Sequence, residues 1–166
     1  MIILGIDPGI AIVGWGVIEY NGSRFTTLGY GSIETPAGMD TEQRLSLIYD
    51  GIKQLIEKYH PDHMAIEELF FNTNQTTGIR VAEARGVIIM CAYRMGVKMF
   101  EYTPLQVKQA IVGYGRAEKK QVITMVTMFL GLKKAPKPDD TADALAIAVC
   151  HAHTGASRLA DYYNKS

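Results

Sequence analysis

We predict from the sequence a single α/β domain built on a five-stranded mixed sheet. Three β-prone runs with short connections open the chain, as in an antiparallel meander. Two later β-prone runs each follow a run with helical spacing, an order that favours parallel strands beside the meander. At 166 residues, 48% hydrophobic and 20% charged, the chain has the size and balance of one globular domain, not of a fibrous or disordered protein.

The first predicted strand covers residues 2–6. Its residues are apolar without alternation, which is typical of a central strand covered on both faces. The strand ends at Asp7, because Pro8 holds the preceding residue extended and Gly9 permits a sharp turn.

The next two strands form a hairpin. Ile12–Tyr20 and residues 24–33 flank Asn21 and Gly22, a pair that tolerates the positive φ angles of a two-residue turn. Together with the first strand, these two runs predict the meander.

Helices and two more strands follow in alternation. Asp40 is a suitable N-cap with Gln43 three residues later, and the helix that it starts ends before Pro61. The later predicted elements are a strand at His63–Glu67, a polar loop at 72–77, a helix at 78–94, a strand at 97–102, and helices at 105–112, 118–130 and 141–153.

The formal net charge of zero conceals an uneven distribution. Residues 1–77 carry 4 basic and 10 acidic side chains, residues 78–137 carry 11 and 3, and residues 138–166 carry 2 and 4. The balances are therefore −6, +8 and −2. The basic middle segment is consistent with a polyanionic partner, and a solvated lysine-rich face is the alternative.

Membrane and secretory classes are not expected. The apolar stretch at 87–93 is far shorter than the roughly 20 residues of a membrane span, and the N-terminus lacks a basic region and cleavage site. Cys91 and Cys150 stand alone in apolar runs, so we expect buried reduced thiols and a cytoplasmic protein without a membrane partner.

Four carboxylates occupy positions typical of a ligand site. Asp7 and Glu67 end the two most apolar strands, and Asp140 and Asp143 share one face at the start of a helix. Because buried carboxylates are costly unless compensated, a divalent cation such as Mg²⁺ or Mn²⁺ is predicted. As alternatives, Asp7 caps the turn that follows it, Asp140 is an N-cap, and Asp143 is a first-turn acid favoured by the helix dipole.

Four segments carry a resemblance to a known family: IDPG at 6–9, AIEELFF at 65–71, VKQAIVGYGRAEKKQV at 107–122 and ADALAIA at 142–148. They resemble, in the same order, the RuvC family of Holliday-junction resolvases, endonucleases of the RNase H-like fold. The resemblance implies one RNase H-like nuclease domain over residues 1–155, with a variable C-terminal tail at 156–166.

The implied activity is hydrolysis of DNA four-way junctions during recombination and repair, with nicks in two strands of like polarity. The resemblance assigns the catalytic and metal-binding roles to Asp7, Glu67, Asp140 and Asp143. Two Mg²⁺ ions per subunit are expected, and Mn²⁺ can substitute. We expect Asp7 to bridge the two ions, because it lies on the central strand.

Basic and aromatic residues complete the predicted DNA site. The resemblance places DNA-contacting lysines at Lys108 and Lys119, and Arg116 and Lys120 cluster with them beside the start of a helix, where amides favour phosphate. The alternative is a solvated surface on which Glu118 offsets the lysines. Phe70 is implied to stack on an unpaired base at the junction, although an aromatic residue after a strand is usually in the core.

Protein partners are also expected. The helix at 78–94 mixes apolar and basic residues, and we predict that part of its apolar surface packs on a second subunit in a two-fold dimer. The resemblance implies work alongside the RuvA and RuvB branch-migration proteins. His151 and His153 are two residues apart and point to different sides of a helix, so both are predicted to be structural or surface residues.

Three other functions compete with this hypothesis. The IDPG turn also resembles that of actin-like phosphotransferases, but those enzymes need two such lobes and the chain supplies one. A non-catalytic junction-binding protein would have lost at least one metal carboxylate, and all four are present. A nuclease of the same fold that acts on RNA or ordinary duplex is the mildest variant.

Overall fold

The structure is a computed structural model that describes residues 1–69 and 75–155. Its elements, in chain order, are β1 (Ile2–Asp7), β2 (Ile12–Tyr20), β3 (Phe25–Glu34), α1 (Thr41–Tyr59), β4 (His63–Glu67), α2 (Gln75–Arg94), β5 (Lys98–Tyr102), α3 (Pro104–Val112), α4 (Lys119–Phe129) and α5 (Asp139–Gly155). The strands form one sheet in the order β3-β2-β1-β4-β5.

The sheet is mixed, as predicted. β1, β2 and β3 pair antiparallel, whereas β4 pairs parallel with both β1 and β5. At the hairpin, Gly22 has a φ of 93°, and the Asn21 side chain accepts a hydrogen bond of 2.9 Å from the Arg24 amide. The predicted hairpin is confirmed, but its connection covers residues 21–24 and only Gly22 of the pair has a positive φ, so the two-residue turn predicted at Asn21 and Gly22 is not observed.

Helices cover both faces of the sheet and create two cores. Alternate strand residues point to opposite faces, so Ile3 packs with α3, α4 and α5, whereas Leu4 packs with α1 and α2. Both faces of β1 and β4 are buried, which explains why these strands lack polar–apolar alternation. Among the described residues, no helix has the length and apolar character needed to cross a membrane.

α5 lies directly on the backbone of the central strands. A Cβ atom at Gly5 would clash with the Ala144 carbonyl oxygen, and one at Gly14 would clash with the Asp140 carbonyl oxygen. A Cβ at Gly16 would come within 2.5 Å of the Leu145 side chain. These three glycines are here called the glycine strip. Gly5 and Gly14 allow main chain to contact main chain, and Gly16 makes room for the Leu145 side chain.

One predicted capping hydrogen bond and two predicted helix starts differ from those observed. Asp40 is the N-cap of α1, but its side chain makes no capping hydrogen bond, so the predicted side-chain cap is absent. α2 begins at Gln75, inside the predicted polar loop, and α5 begins at Asp139, two residues early. Asp140 is therefore in the first turn of α5 and not its N-cap. α5 ends at Gly155, and the predicted tail lies outside the described residues.

Candidate active site

Strand register brings Asp7 and Glu67 together. β1 and β4 run parallel with Ile6 opposite Ile66, and these two isoleucines point toward α1 and α2. The next residue of each strand points to the other face, so Asp7 and Glu67 both face α5. Two acids sixty residues apart thus become neighbours at the carboxyl ends of adjacent strands.

The start of α5 adds the other two carboxylates. The Thr141 hydroxyl donates a 3.0 Å hydrogen bond to the Gly31 carbonyl oxygen and fixes this end of the helix to β3. The Asp140 main chain contacts Gly14, which is the partner of Asp7 in the β1–β2 pairing. Asp140 and Asp143 lie three residues apart on one helical face, so both are held near Asp7.

The carboxylates interact electrostatically. The pKa of Asp7 is raised to about 8, chiefly by burial and then by the negative charges of neighbouring acids, against the opposing charge of Lys119. Those acids are Glu67, Asp143 and Asp140. Burial also raises the pKa of Glu67 and that of Asp143, with smaller contributions from neighbouring acids. Four acids that repel one another in a partly buried position form a site with an unmet need for positive charge.

Lys119 meets part of that need. Its Nζ donates a 2.7 Å hydrogen bond to Oδ2 of Asp143 and forms an ion pair with it. Burial alone would lower the pKa of Lys119, but the hydrogen bond and charge of Asp143 raise it. The lysine predicted to contact DNA is therefore engaged with a predicted metal ligand.

A cavity of about 210 Å³ opens beside the carboxylates. Glu67, Asp143, Lys108 and Lys119 line it together with apolar side chains of α3, α4 and α5. Arg116 and Lys120 are exposed, and Lys120 lies on a separate groove between α3 and α4. The structure thus brings Lys108 and Lys119, but not Lys120, to the cavity that Glu67 and Asp143 line. Phe70 lies outside the described residues.

Comparison with known proteins decides the family. A family model described as crossover junction endodeoxyribonuclease RuvC matches residues 3–151. The chain belongs to the RuvC family. Crossover junction endodeoxyribonucleases RuvC from Alkaliphilus metalliredigens and Clostridioides difficile are 60% and 59% identical to it, over 93% of this chain and 94% and 91% of theirs.

A solved RuvC structure confirms the RNase H-like architecture. Thermus thermophilus RuvC, in complex with a Holliday junction substrate, superposes with a TM-score of 0.89 and is 36% identical. The match covers 93% of this chain and 94% of the Thermus protein. The resemblance read from four short segments is confirmed over nearly the whole RuvC chain.

Membership of the RuvC family implies use of a divalent cation, and the residues present fit one by their chemistry. Carboxylate oxygens are the ligands that hard divalent cations prefer. Burial first and neighbouring acids second raise the pKa of Asp7 and that of Glu67, and a bound cation would oppose both effects. In residues 1–69 and 75–155, the side chains do not form a group of three or more at ligand distance. Asp143 is instead turned to Lys119.

Two features of this RuvC chain were not predicted from sequence. Arg85 donates from Nε to the Glu67 carbonyl oxygen at 3.3 Å and pairs with Glu101 at 2.9 Å. His151 is fully buried between His63 and Tyr102, as its predicted structural role requires, but those partners were not foreseen. An arginine within an apolar helical run was the available signal for Arg85, and the histidine pair spans 88 residues without a local signal.

Proposed function

We propose that this RuvC-family chain is a crossover junction endodeoxyribonuclease that hydrolyses phosphodiester bonds of four-way DNA junctions and nicks two strands of like polarity. The observation that carries the proposal is the grouping of Asp7, Glu67, Asp140 and Asp143 around the ends of β1 and β4. The junction complex of the Thermus relative, which the chain matches at a TM-score of 0.89, supports the substrate.

The cation is proposed to be Mg²⁺, two ions per subunit, with Mn²⁺ as a substitute. Asp7, Glu67, Asp140 and Asp143 would hold the ions. When bound, they supply an activated water, stabilisation of negative charge on the phosphate and stabilisation of the departing 3′ oxygen. The protein supplies an acidic, partly buried position in which carboxylate charge is costly without a cation.

Lys108 and Lys119 are proposed to bind the DNA backbone beside that position. Both line the cavity that Glu67 and Asp143 share, so a phosphate bound there would lie close to both cationic side chains. Lys119 now pairs with Asp143, and a cation held by Asp143 would offset the charge of that carboxylate and leave the lysine available to a phosphate. Arg116 and Lys120 are exposed and would contribute to attraction of the DNA at longer range.

Phe70 is proposed to stack on an unpaired base at the centre of the junction. Glu67 ends β4 at the site, and Phe70 follows three residues later in the chain. The test is 2-aminopurine fluorescence at the crossover, which we expect to differ between the wild type and Phe70→Ala. Equal fluorescence would contradict stacking.

A second subunit is proposed to pack on α2. Ile79, Met90 and Tyr93 are exposed large hydrophobic residues whose spacing places them on one face of α2, and Tyr93 is 83% exposed. A two-fold dimer would present two sites to two strands of like polarity. Sedimentation equilibrium should show a dimer that Tyr93→Glu weakens, whereas a monomer with and without DNA would contradict it.

The remaining predictions concern the domain limits, the cellular compartment and the partner proteins. The nuclease domain is proposed to span residues 1–155, with residues 156–166 as a tail. Buried, unpaired Cys91 and Cys150 are consistent with a reducing compartment, and we propose the cytoplasm. Cooperation with RuvA and RuvB stays a prediction from the family.

The decisive experiment compares cleavage of three substrates in Mg²⁺: a four-way junction, a duplex of the same sequence and an RNA–DNA hybrid. We expect paired nicks in the junction only. Cleavage of duplex or hybrid at the same rate would favour a nuclease of different substrate, and binding without cleavage would favour a non-catalytic junction-binding protein.

A matched pair of variants ties cleavage to the site. Asp143→Asn removes a carboxylate of the cluster, whereas Asp139→Asn removes one in the same helix that pairs with Lys137 at 2.8 Å. We expect Asp143→Asn to lose cleavage while retaining junction binding, and Asp139→Asn to cleave like the wild type. Equal activity of the two variants would contradict the assignment.

A further inference from the structure

Arg85 holds the backbone of Glu67 from the side of the sheet opposite the carboxylates. It lies on α2, and its side chain is 15% exposed. Two different nitrogens are engaged: Nε donates to the Glu67 carbonyl oxygen at 3.3 Å, and Nη2 lies 2.9 Å from Oε1 of Glu101. The guanidinium therefore joins α2, the last residue of β4 and β5 at one point.

The alternation of side chains between the two faces of the sheet explains this geometry. Glu101 lies between Phe100 and Tyr102, which pack on the α5 side, so its own side chain points toward α2. The Glu67 side chain points the opposite way, into the cavity with Lys119 and Asp143. Arg85 thus contacts the main chain of Glu67 and not its carboxylate.

This distinction identifies the kind of role that Arg85 has. The charges that act on the Glu67 carboxyl are those of Asp143 and Lys119, after burial itself. Arg85 acts instead on the position of the peptide, and through it on the direction in which the Glu67 side chain leaves the strand. The amide side of the same peptide is held by β5, because the Glu68 amide donates a 2.8 Å hydrogen bond to the Tyr102 carbonyl oxygen. Arg85 adds a contact on the carbonyl side.

We propose that Arg85 is a positioning residue that fixes Glu67 for cation binding. The inference rests on the proposed function, in which Glu67 is a metal ligand. Groups that hold ligand residues in place typically change metal affinity or activity by 10–100-fold when they are removed. Glu101 fixes the far end of the guanidinium, and this leaves Nε directed at the carbonyl.

The test measures Mn²⁺ affinity by calorimetry on the DNA-free protein, for the wild type, Arg85→Gln and Arg94→Gln. Arg94 is the matched control, because it is an exposed arginine in the last turn of the same helix. We expect Arg85→Gln to bind Mn²⁺ about 10-fold more weakly, and Arg94→Gln to bind like the wild type. Equal Mn²⁺ affinity for Arg85→Gln and Arg94→Gln would overturn the proposal.

Arg85→Lys covers the case in which the glutamine variant does not fold. Lysine keeps the charge and can pair with Glu101, but one nitrogen cannot reproduce two separated contacts. We expect weakened Mn²⁺ binding with an unchanged melting temperature. Wild-type Mn²⁺ affinity in Arg85→Lys would contradict the claim that Arg85 must contact Glu67 and Glu101 together.

Cleavage assays separate positioning from a purely structural role. Raising the Mg²⁺ concentration should restore much of the lost rate of Arg85→Lys while its junction affinity stays that of the wild type. A deficit that excess Mg²⁺ does not reduce would overturn the proposal. If the wild type itself neither binds Mn²⁺ nor cleaves junctions, the proposed function fails, and this outcome is distinct from failure of the Arg85 inference.

Discussion

Polar groups are buried at both ends of α5, but they are compensated to different degrees. At its start, Asp140 and Asp143 join Asp7 and Glu67, and their mutual repulsion is only partly offset by Lys119. At its end, His151 is buried with a partner for each ring nitrogen. One lies 2.9 Å from His63 and the other 2.6 Å from the Tyr102 hydroxyl.

The difference shows which polar group serves the fold and which serves a ligand. Neutral imidazole has one donor and one acceptor nitrogen, so two partners satisfy His151 completely. The Tyr102 hydroxyl also accepts from Thr154 at 3.2 Å. Ionised carboxylates have no donor, so the four acids repel one another unless protons, Lys119 or a cation offset their charge, and the raised pKa of Asp7 reflects this. A cation from outside the chain would offset the charge at the start of α5, whereas the end of α5 is satisfied by groups of the chain itself.

The largest test of this contrast is Asp7→Asn. We expect junction cleavage to fall by more than about 100-fold, because loss of a direct ligand should exceed the cost of losing groups that hold ligands. The same variant should be more stable than the wild type without cation at pH 8, since it removes a buried charge. Gel assays of cleavage and chemical denaturation in EDTA measure the two effects.

A matched control for Asp7→Asn is Asp62→Asn, which changes an acid that accepts from the Ile2 amide at the other end of β1. It should keep normal cleavage and gain no stability. If Asp7→Asn lowered the free energy of unfolding as much as Asp62→Asn, repulsion among the four carboxylates would not destabilise the cation-free protein.

The converse test is His151→Phe at the other end of α5. Phenylalanine fills similar volume but leaves His63 and Tyr102 without their shared partner, which should lower the free energy of unfolding by roughly 1–3 kcal/mol. Cleavage per folded molecule should remain normal. A stable but inactive His151→Phe protein would show that the end of α5 also contributes to cleavage, which would contradict the difference between the two ends.

The pH dependence of stability should have opposite signs at the two ends. Burial lowers the pKa of His151 to about 4 from an ordinary 6.5, so its stabilising contribution is complete above pH 6.5 and is lost as pH falls toward 4. Burial raises the pKa of Asp7 to about 8, so in cation-free protein its contribution is lost as pH rises toward 8.

Denaturation curves from pH 4 to 9 in EDTA can separate these contributions. His151→Phe should remove a rise of stability with pH between about pH 4 and 6.5, and Asp7→Asn should remove a fall of stability between about pH 4 and 8. The Asp7 effect is seen alone above pH 6.5. Each slope corresponds to at most about 1.4 kcal/mol per pH unit for one proton. Identical curves for both variants and the wild type would contradict the assigned shifts.

The smallest expected effect concerns the lysine that partly compensates the acidic end. Lys119→Gln should bind Mn²⁺ several-fold more tightly without DNA, because Asp143 loses its internal counter-ion. Lys108→Gln, in the same cavity, should leave Mn²⁺ affinity unchanged. In each variant, the slope of log junction affinity against log salt concentration should become shallower by about one. Equal Mn²⁺ affinity in both variants would show that Lys119 does not compete with the cation for Asp143.

Much of the fold was predictable because the signals are local. The uninterrupted apolar runs of β1 and β4 indicated central strands, and Asn21 with Gly22 indicated the hairpin. The start of α2 was predicted less well, because Asn, Gln and Thr residues at 72–77 favour a loop by composition, while the helix begins at Gln75.

The sequence identified the acids of the candidate site and also Lys108 and Lys119, which line the same cavity, but not the contacts that its cations make. Asp7 and Glu67 ended recognisable strands, Asp140 and Asp143 shared one face at the start of a predicted helix, and the family resemblance assigned roles to all four. The contacts of Lys119 with Asp143 and of Arg85 with Glu67 span 24 and 18 residues. They depend on how helices pack across the sheet, which spacing along the chain does not encode.

The glycine strip has a consequence for how this chain tolerates substitution. α5 rests on Gly5 and Gly14 through main-chain contact, so at these two points the spacing between α5 and the sheet requires that the strand has no side chain. Substitutions elsewhere in the two cores leave these two contacts in place. A single methyl group at Gly14 would change that spacing, so tolerance to mutation ends abruptly at this position.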